Sequence, residues 1–244
     1  RPDSLARLKA IKGLGPRSFN IAVEFLREGR CRRLESYATD PSKVSMTTFM
    51  GIWGVGRAMA MNLRNNGYET LDDIRAAVQE GKLTLDPRAR IGLDCYDDFN
   101  EKMTREEVEM IGDIVTKAIR ETLPNAEISI MGSYRRGKTG LGDIDILIVD
   151  SEWVKDTPCE WLGALVTKLH LLGHMVYHLT NIAGISYDSA NSQTSLEYRP
   201  SKKKGHKSRK TSTSQSYMGV FNSPTNPGRR RRIDIKFYPY REKA

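Results

Sequence analysis

Two aspartates stand one residue apart at the start of an apolar run. The stretch "GDIDILIVD" contains Asp143 and Asp145, separated by Ile144. Because alternate side chains of a strand share a face, both carboxylates would point the same way and the isoleucines the other way. Neighbouring carboxylates raise each other's pKa unless a cation lies between them. The pair is therefore either a solvated strand end or part of a metal site, and an isolated Asp-x-Asp would favour the strand end.

Two further features favour the metal site. Upstream, Gly132 and Ser133 form a small-residue turn, where backbone N–H groups and a hydroxyl can approach a phosphate closely. Downstream, "RRIDIKF" places Asp234 in another apolar strand flanked by arginines. With no His or Cys nearby, these hard oxygen ligands favour Mg²⁺ over zinc. Three carboxylates beside such a turn are the parts of a two-metal phosphoryl-transfer site.

Periodicity and capping signals predict the elements that carry these residues. Helices are predicted over 70–79, with Thr70 as N-cap and Asp73 three residues on, and over 103–123, with Thr104 and Glu107 as a capping box. The second helix has an apolar stripe of Val108, Ile111, Val115, Ala118 and Ile119, and a later helix has one of Leu162, Leu165, Val166, Leu169 and Leu172.

Strand-like stretches alternate with these helices in the second half of the chain. The predicted strands cover 127–131, 144–149, 175–180, 217–221 and 231–238. Helical units therefore precede helices on an antiparallel or mixed sheet, which makes the fold class α+β.

Charge and composition limit the partners. The formal net charge is +9, and Arg229 to Arg232 and the Lys/Arg run between 199 and 210 hold much of the excess, which favours a polyanionic partner. No apolar run approaches the roughly 20 residues that span a bilayer, so we expect a soluble protein without a membrane partner. Three scattered cysteines are expected to be ordinary interior residues of a reducing compartment, namely Cys31, Cys95 and Cys159.

Two similar glycine hairpins lie in the N-terminal half. "IKGLGPRSF" and "GIWGVGRAM" both place Gly-apolar-Gly before an amphipathic helix, which indicates a weak internal repeat. A lone Gly-x-Gly is mostly a plain turn. Two of them in a basic protein resemble helix-hairpin-helix motifs, whose backbone can grip a DNA phosphate without reading sequence. The candidate DNA-binding residues are Gly13, Gly15, Arg17, Gly54 and Gly56.

Residues 181–216 lack periodicity and are rich in Ser, Thr, Lys and Arg. We predict a long flexible loop there, because its composition cannot support a core. Lys202, Lys203 and Lys204 could hold a poorly paired DNA end. A solvated insert and a nuclear-localisation run remain open as alternatives.

The motifs "GSYRRGKTGLGDIDILI" and "RRIDIKFYPY", with the two hairpins before them, resemble a family X DNA polymerase. Gly-Ser followed by Asp-x-Asp is shared across the nucleotidyltransferase superfamily, whereas the whole set in this order is much more specific. The resemblance implies three parts: 1–36 as part of a small N-terminal domain with the first hairpin, 37–103 as a DNA-binding helical subdomain, and 104–244 as the palm. It also implies that the chain ends before the C-terminal subdomain and, since it begins with Arg1, that it is a fragment.

The same resemblance implies roles for individual residues. Asp143 and Asp145 would hold two Mg²⁺ ions, with Mn²⁺ as an alternative, and Asp234 would bind the catalytic ion. Arg232 would orient the carboxylates. The incoming dNTP would contact Gly132, Ser133, Arg136 and Gly142, with Arg105 as a weaker candidate. A Na⁺ or K⁺ ion would be held by the backbone carbonyls of Lys9, Ile11 and Leu14 in the first hairpin and of Met50, Ile52 and Val55 in the second.

Two departures from the family pattern bear on which activities we expect of this chain, namely lyase activity and addition without a template. Lyase-active members carry a nucleophilic Lys eight residues after the first hairpin glycine, where this chain has Ile21, so we expect no lyase activity. Members that extend DNA without a template carry a His before the first catalytic Asp, where this chain has Gly142, so untemplated addition is unsupported.

The sequence thus predicts a nuclear, Mg²⁺-dependent, DNA-templated nucleotidyltransferase that fills short gaps or joins broken ends. Its expected partners are gapped or broken DNA, dNTPs and end-joining repair proteins. Two alternatives stay open: a template-independent, RNA-acting or small-molecule nucleotidyltransferase, and a non-catalytic DNA-binding scaffold.

Overall fold

A computed structural model describes residues 2–150, 161–180, 185–186, 197–198 and 215–239. The chain divides into two units, residues 1–84 and 85–244. The first unit is helical, with α1 (Pro2–Lys9), α2 (Pro16–Glu28), α3 (Arg32–Thr39), α4 (Pro41–Met50), α5 (Arg57–Asn65) and α6 (Leu71–Gln79). In α6, Thr70 and Asp73 form the predicted reciprocal capping box.

The second unit combines helices with a sheet. Its helices are α7 (Pro87–Asp94), α8 (Tyr96–Asn100), α9 (Arg105–Arg120), α10 (Gly132–Arg135) and α11 (Trp161–Leu171). Its strands are β1 (Glu127–Ile130), β2 (Ile144–Asp150), β3 (Met175–His178), β4 (Ile185–Ser186), β5 (Glu197–Tyr198), β6 (Gln215–Asn222) and β7 (Arg230–Pro239). The fold is α+β, as predicted.

The main sheet is mixed and has the strand order β1-β2-β7-β6-β3. β2 and β7 run parallel, and the other neighbours run antiparallel. Helices α9 and α11 pack with the isoleucine face of the sheet in one hydrophobic core, which contains Val108, Ile111 and Leu165. The periodicity of α9 therefore predicted its buried face correctly, and that of α11 did so for Leu162, Leu165, Val166 and Leu169.

Three sequence expectations need correction. Leu172 lies beyond the end of α11 and is 58 % exposed, so it does not extend the buried stripe. Thr104 accepts the N–H of Glu107 as predicted, but the Glu107 carboxylate is bonded elsewhere and does not complete a capping box. The predicted loop 181–216 contains the short paired strands β4 and β5 and the first two residues of β6, which begins at Gln215.

Cys31 and Cys95 are buried and free of disulfides, as expected of interior residues, whereas Cys159 lies outside the described residues. Burial, assisted by the charge of Asp98, raises the pKa of the Cys95 thiol to about 12, so this thiol stays protonated and inert. None of the described helices is long and apolar enough to cross a bilayer.

Candidate active site

The pairing of β2 with β7 brings the predicted carboxylates together. Asp145 lies directly opposite Asp234 in the parallel register, and Asp143 immediately precedes β2. On both strands the isoleucines face the core, so the aspartates share the opposite face of the sheet. Two segments almost ninety residues apart in sequence therefore contribute to one acidic centre.

The Gly-Ser turn lies against this centre. The Met131 N–H donates to the Asp145 carbonyl at 2.8 Å, and the chain then turns into α10 through Gly132 with φ +55°. A methyl group on Gly132 would lie 1.6 Å from Asp145 Oδ2, so only glycine permits this approach. Ser133 Oγ is buried without a hydrogen-bond partner in the described part of the chain.

Burial and mutual repulsion raise the pKa of two of the three carboxylates. Burial raises the pKa of Asp145, and the charges of Asp143 and Asp234 raise it further. Burial also raises the pKa of Asp234, with Asp143 adding to the effect and the Lys236 ammonium, 3.6 Å away, opposing it. Asp234 Oδ1 is buried and accepts no hydrogen bond from any described residue.

This donor set fits a hard divalent cation. All the donor atoms are carboxylate oxygens, and a cation would relieve both their repulsion and the unmatched Asp234 oxygen. Over the described ranges, however, no three Asp, Glu, His or Cys side chains are already arranged to enclose an ion.

Arg232 connects the two strands at the acidic centre. Its Nη2 lies 3.5 Å from both Asp143 Oδ2 and the Gly142 carbonyl oxygen. Its guanidinium lies 5.8 Å from the centre of the Phe99 ring, and its Nε is buried with no partner among the described residues. This position suits the predicted orienting role.

Cationic side chains surround the turn in different ways. Arg136 caps α10 at its C-terminus, and its charge is among those that lower the pKa of Asp145. Arg105 donates to the carbonyls of Tyr134 and Lys138 at 3.0 and 3.3 Å and stacks 3.8 Å from the Tyr134 ring centre. The structure therefore places Arg105 as a support for the turn.

Lys102 is a candidate residue that sequence reasoning missed. A methyl group on Gly142 would lie 3.1 Å from Lys102 Nζ, so this ammonium is next to the backbone that leads into the acidic pair. The isolated bridge between Met103 and Leu141 brings the two segments together. No local motif marks Lys102, because its relevance depends on that long-range pairing.

The arginine run at the start of β7, Arg229 to Arg232, is largely paired within its own unit. Arg229 lies 2.8 Å from Glu101 and 3.2 Å from Asp98, and Arg231 Nε lies 2.8 Å from Glu107 Oε1. The Arg230 side chain donates to Asn222. The run therefore contributes less free positive charge for a polyanion than its composition suggested.

The two glycine hairpins, both in the first unit, have the same backbone geometry. Gly13 and Gly54 each have φ +88°, and Gly15 and Gly56 are the N-caps of α2 and α5. The N–H groups of Leu14 and Val55 donate to the carbonyls three residues earlier, those of Ile11 and Ile52, at 3.2 and 3.0 Å. The predicted internal repeat is thus present as two matching turns.

The remaining predicted residues of these turns occupy corresponding places. Lys9 and Met50 are the last residues of α1 and α4, and Arg17 lies in the first turn of α2. Lys202, Lys203 and Lys204 lie outside the described residues, so their role stays a prediction.

Comparison with known proteins agrees with this architecture. Residues 102–240 match the family model of the DNA polymerase beta palm, and residues 47–100 match that of the fingers domain of DNA polymerase lambda. The chain is 28 % identical to the DNA polymerase lambda of Arabidopsis thaliana over 241 residues, 98 % of this chain and 40 % of that protein.

Two animal proteins are similarly related. Identity to the DNA polymerase lambda of Rattus norvegicus is 29 % over 235 residues, which cover 96 % of this chain and 35 % of the rat protein. Identity to the DNA-directed DNA/RNA polymerase mu of Homo sapiens is 29 % over 175 residues, 72 % of this chain and 34 % of the human protein. The chain thus spans between a third and two-fifths of the length of these relatives.

Proposed function

This chain belongs to family X of the DNA polymerases, and from that premise we propose that it adds deoxynucleotides to a primer 3′-hydroxyl under the direction of a DNA template. The work of such an enzyme would be short-gap filling or the joining of broken ends. The observation that carries the proposal is the parallel register of β2 and β7, which sets Asp145 opposite Asp234 with Asp143 and the Gly132–Ser133 turn beside them.

The three aspartates would hold two Mg²⁺ ions, or Mn²⁺ in their place. Asp143 and Asp145 would contact both ions and Asp234 one of them. When bound, the ions would offset charge on the attacking and leaving oxygens of the phosphoryl transfer. In that reaction the primer 3′-oxygen bonds to the α-phosphorus and the bond to the β-phosphate breaks, so pyrophosphate leaves. Asp234 would also take part in activating the primer 3′-hydroxyl; burial raises the pKa of this carboxyl, which favours proton uptake.

The turn beside the carboxylates would hold the triphosphate. Ser133 Oγ has no partner in the described part of the chain, so it is available to donate to a phosphate oxygen. Arg136 and Lys102 would neutralise the phosphates, and the backbone at Gly132 and Gly142 permits close approach. Arg105, bonded to two carbonyls of the turn, would keep that turn in shape.

The two glycine hairpins would hold the DNA backbone. Their matched turns present backbone groups that can bind a phosphate directly or through Na⁺ or K⁺ held by the carbonyls named above. By this proposal the second hairpin holds the primer strand and the first holds DNA downstream of a gap.

Three finer proposals follow from the sequence. The enzyme would lack lyase activity, because the side chain of Ile21 in α2 has no amine. It would act in the nucleus with end-joining repair proteins.

The basic segment within 181–216 would bind a poorly paired DNA end, so deletion of 186–214 should weaken extension of broken ends more than filling of gaps. If both activities survive the deletion unchanged, that role is refuted.

Template direction is tested with four duplexes that differ only in the base opposite a one-nucleotide gap. We expect the full-length protein with Mg²⁺ to incorporate the complementary nucleotide in each case. Incorporation of the same nucleotide on all four duplexes would favour a template-independent enzyme. Binding of the gapped duplex without incorporation would favour a DNA-binding scaffold.

A further inference from the structure

A network of buried polar side chains lies on the core side of β7. Glu107, Ser223 and Arg231 are each 5 % exposed or less. Arg231 donates to the Glu107 carboxylate from Nε at 2.8 Å and from Nη2 at 3.2 Å, and Ser223 Oγ donates to Glu107 Oε1 at 2.6 Å. Such two-point pairing of a guanidinium with a carboxylate fixes direction as well as distance.

Helix α8 holds the same end of β7 from a second side. The Asp98 carbonyl accepts from Arg231 Nη1 at 3.1 Å, and the Asp98 carboxylate accepts from the Arg230 N–H at 3.0 Å. All of these partners belong to the unit 85–244. The first residues of β7 are therefore tied to α8 and α9 independently of the ladder with its neighbouring strands.

Arg231, which these hydrogen bonds hold in place, lies three residues before the proposed metal ligand Asp234. Arg231 faces the core with Ile233 and Ile235, whereas Arg232 and Asp234 lie on the opposite face. Because Arg231 and Asp234 lie three residues apart in one strand, a shift of that strand at Arg231 would also change the position of Asp234 against β2. Well-packed apolar residues would stabilise such a site as well as a buried ion pair does, so stability alone does not account for the pair.

We propose that Arg231 is a positioning residue: its two-point pairing with Glu107, which Ser223 holds by a further hydrogen bond, sets the position of β7 along β2 and so places Asp234 opposite Asp145 and Arg232 beside Asp143. The inference rests on the proposed function for its purpose but not for its geometry. It assigns Glu107, Ser223 and Arg231 a shared role that involves no contact with substrate.

The geometric part is tested in the metal-free chain with Arg231→Lys, which keeps the charge and loses the two-point pairing. Arg229→Lys is the matched control, because Arg229 belongs to the same run but is 37 % exposed. Amide hydrogen exchange is compared after denaturant has brought both variants to equal global stability. We expect the 233–235 amides to exchange about 10-fold faster in Arg231→Lys, with β1 and β3 unchanged. Equal exchange in the two variants, or uniform acceleration across all strands, would overturn the inference.

The link to the acidic centre is tested by Mn²⁺ binding, followed through water-proton relaxation in the full-length protein. Arg231→Lys should bind Mn²⁺ about 10-fold more weakly, the lower end of the effect of outer-shell substitutions, and Arg229→Lys should bind as the wild type does. Unchanged affinity in Arg231→Lys would overturn the positioning role. Absence of Mn²⁺ binding in the wild type would instead overturn the proposed function, and the exchange result would still decide the geometric part.

A milder variant covers the case in which Arg231→Lys does not fold. Ser223→Ala removes one hydrogen bond to Glu107 and leaves both charges in place. It should show the same local acceleration at 233–235 and the same direction of change in Mn²⁺ affinity. If Ser223→Ala shows the amide exchange and the Mn²⁺ affinity of the wild type, the proposed positioning of β7 by Glu107, Ser223 and Arg231 is contradicted.

Discussion

Replacing Gly132 with alanine should separate two effects of one methyl group. The residue has φ +55°, where an L side chain costs about 1–2 kcal/mol. The added methyl carbon would also lie 1.6 Å from Asp145 Oδ2, 2.6 Å from Cγ and 3.1 Å from Cβ. An ordinary carbon–oxygen contact needs about 3.3 Å, so the carboxylate must retreat by roughly 1.7 Å. Since the whole Asp145 side chain is close, rotation of the carboxylate alone does not relieve the overlap.

Gly137→Ala is the matched control, because Gly137 has φ +76° just beyond the same turn and its added methyl would meet nothing within 4 Å. Both variants should lose about 1–2 kcal/mol of unfolding free energy through backbone strain. Gly132→Ala should lose about 1–3 kcal/mol more, because its methyl group overlaps Asp145. Only Gly132→Ala should also lose nucleotide incorporation, by about 100-fold, which is the effect of a misplacement of about 1 Å at a reacting centre. The assays are urea denaturation of the chain and single-turnover gap filling by the full-length protein. Equal loss of incorporation in both variants would refute the reasoning.

Three further outcomes are expected. Glu107→Gln removes the buried partner charge of Arg231 and leaves only the 44 % exposed Glu101, 3.4 Å away, so it should cost roughly 3 kcal/mol in urea denaturation. Glu101→Gln should cost under about 1 kcal/mol. Similar losses in the two variants would contradict the buried-pair account. Burial and neighbouring charges raise the folded-state pKa of Asp145 above its ordinary 3.8, so ionisation of this carboxyl lowers the stability of the fold as the pH rises from 3.8 through the raised pKa. Asp145→Asn should therefore have a higher melting temperature than the metal-free wild type at pH 7 but not near pH 3. A difference that persists at pH 3 would point to another cause. No covalent adduct should form with an incised abasic site in the presence of borohydride, because Ile21 has no amine. Detection of an adduct would refute the predicted lack of lyase activity and show that an amine elsewhere in the chain acts as the nucleophile.

Local signals in the sequence were sufficient for much of the fold. The capping box of α6 and the apolar stripe of α9 depend on residues within one or two helical turns of each other, so they can be recognised from the amino-acid sequence alone. The alternation in β2 and β7 likewise showed that their aspartates and isoleucines occupy opposite faces. Asp143, Asp145 and Asp234 could therefore be chosen as candidates before their pairing was known.

Features that depend on distant partners could not be read in the same way. Glu107 has the right type and position for a capping box, yet a buried arginine 124 residues later in the chain competes for its carboxylate. Lys102 approaches the site only because Met103 pairs with Leu141. The parallel register that sets Asp145 opposite Asp234 depends on the whole sheet, which no single segment specifies.

The most direct test of the central claim is the rate of one-nucleotide gap filling with Mg²⁺ in the wild type and in Asp234→Asn. Asp113→Asn, on α9 and outside the acidic centre, serves as the control. If the three aspartates form one centre for nucleotide addition, Asp234→Asn should fall by at least about 1,000-fold while still binding the gapped duplex, because ligands that act as a unit are not additive. Equal rates in the wild type and Asp234→Asn would contradict the account.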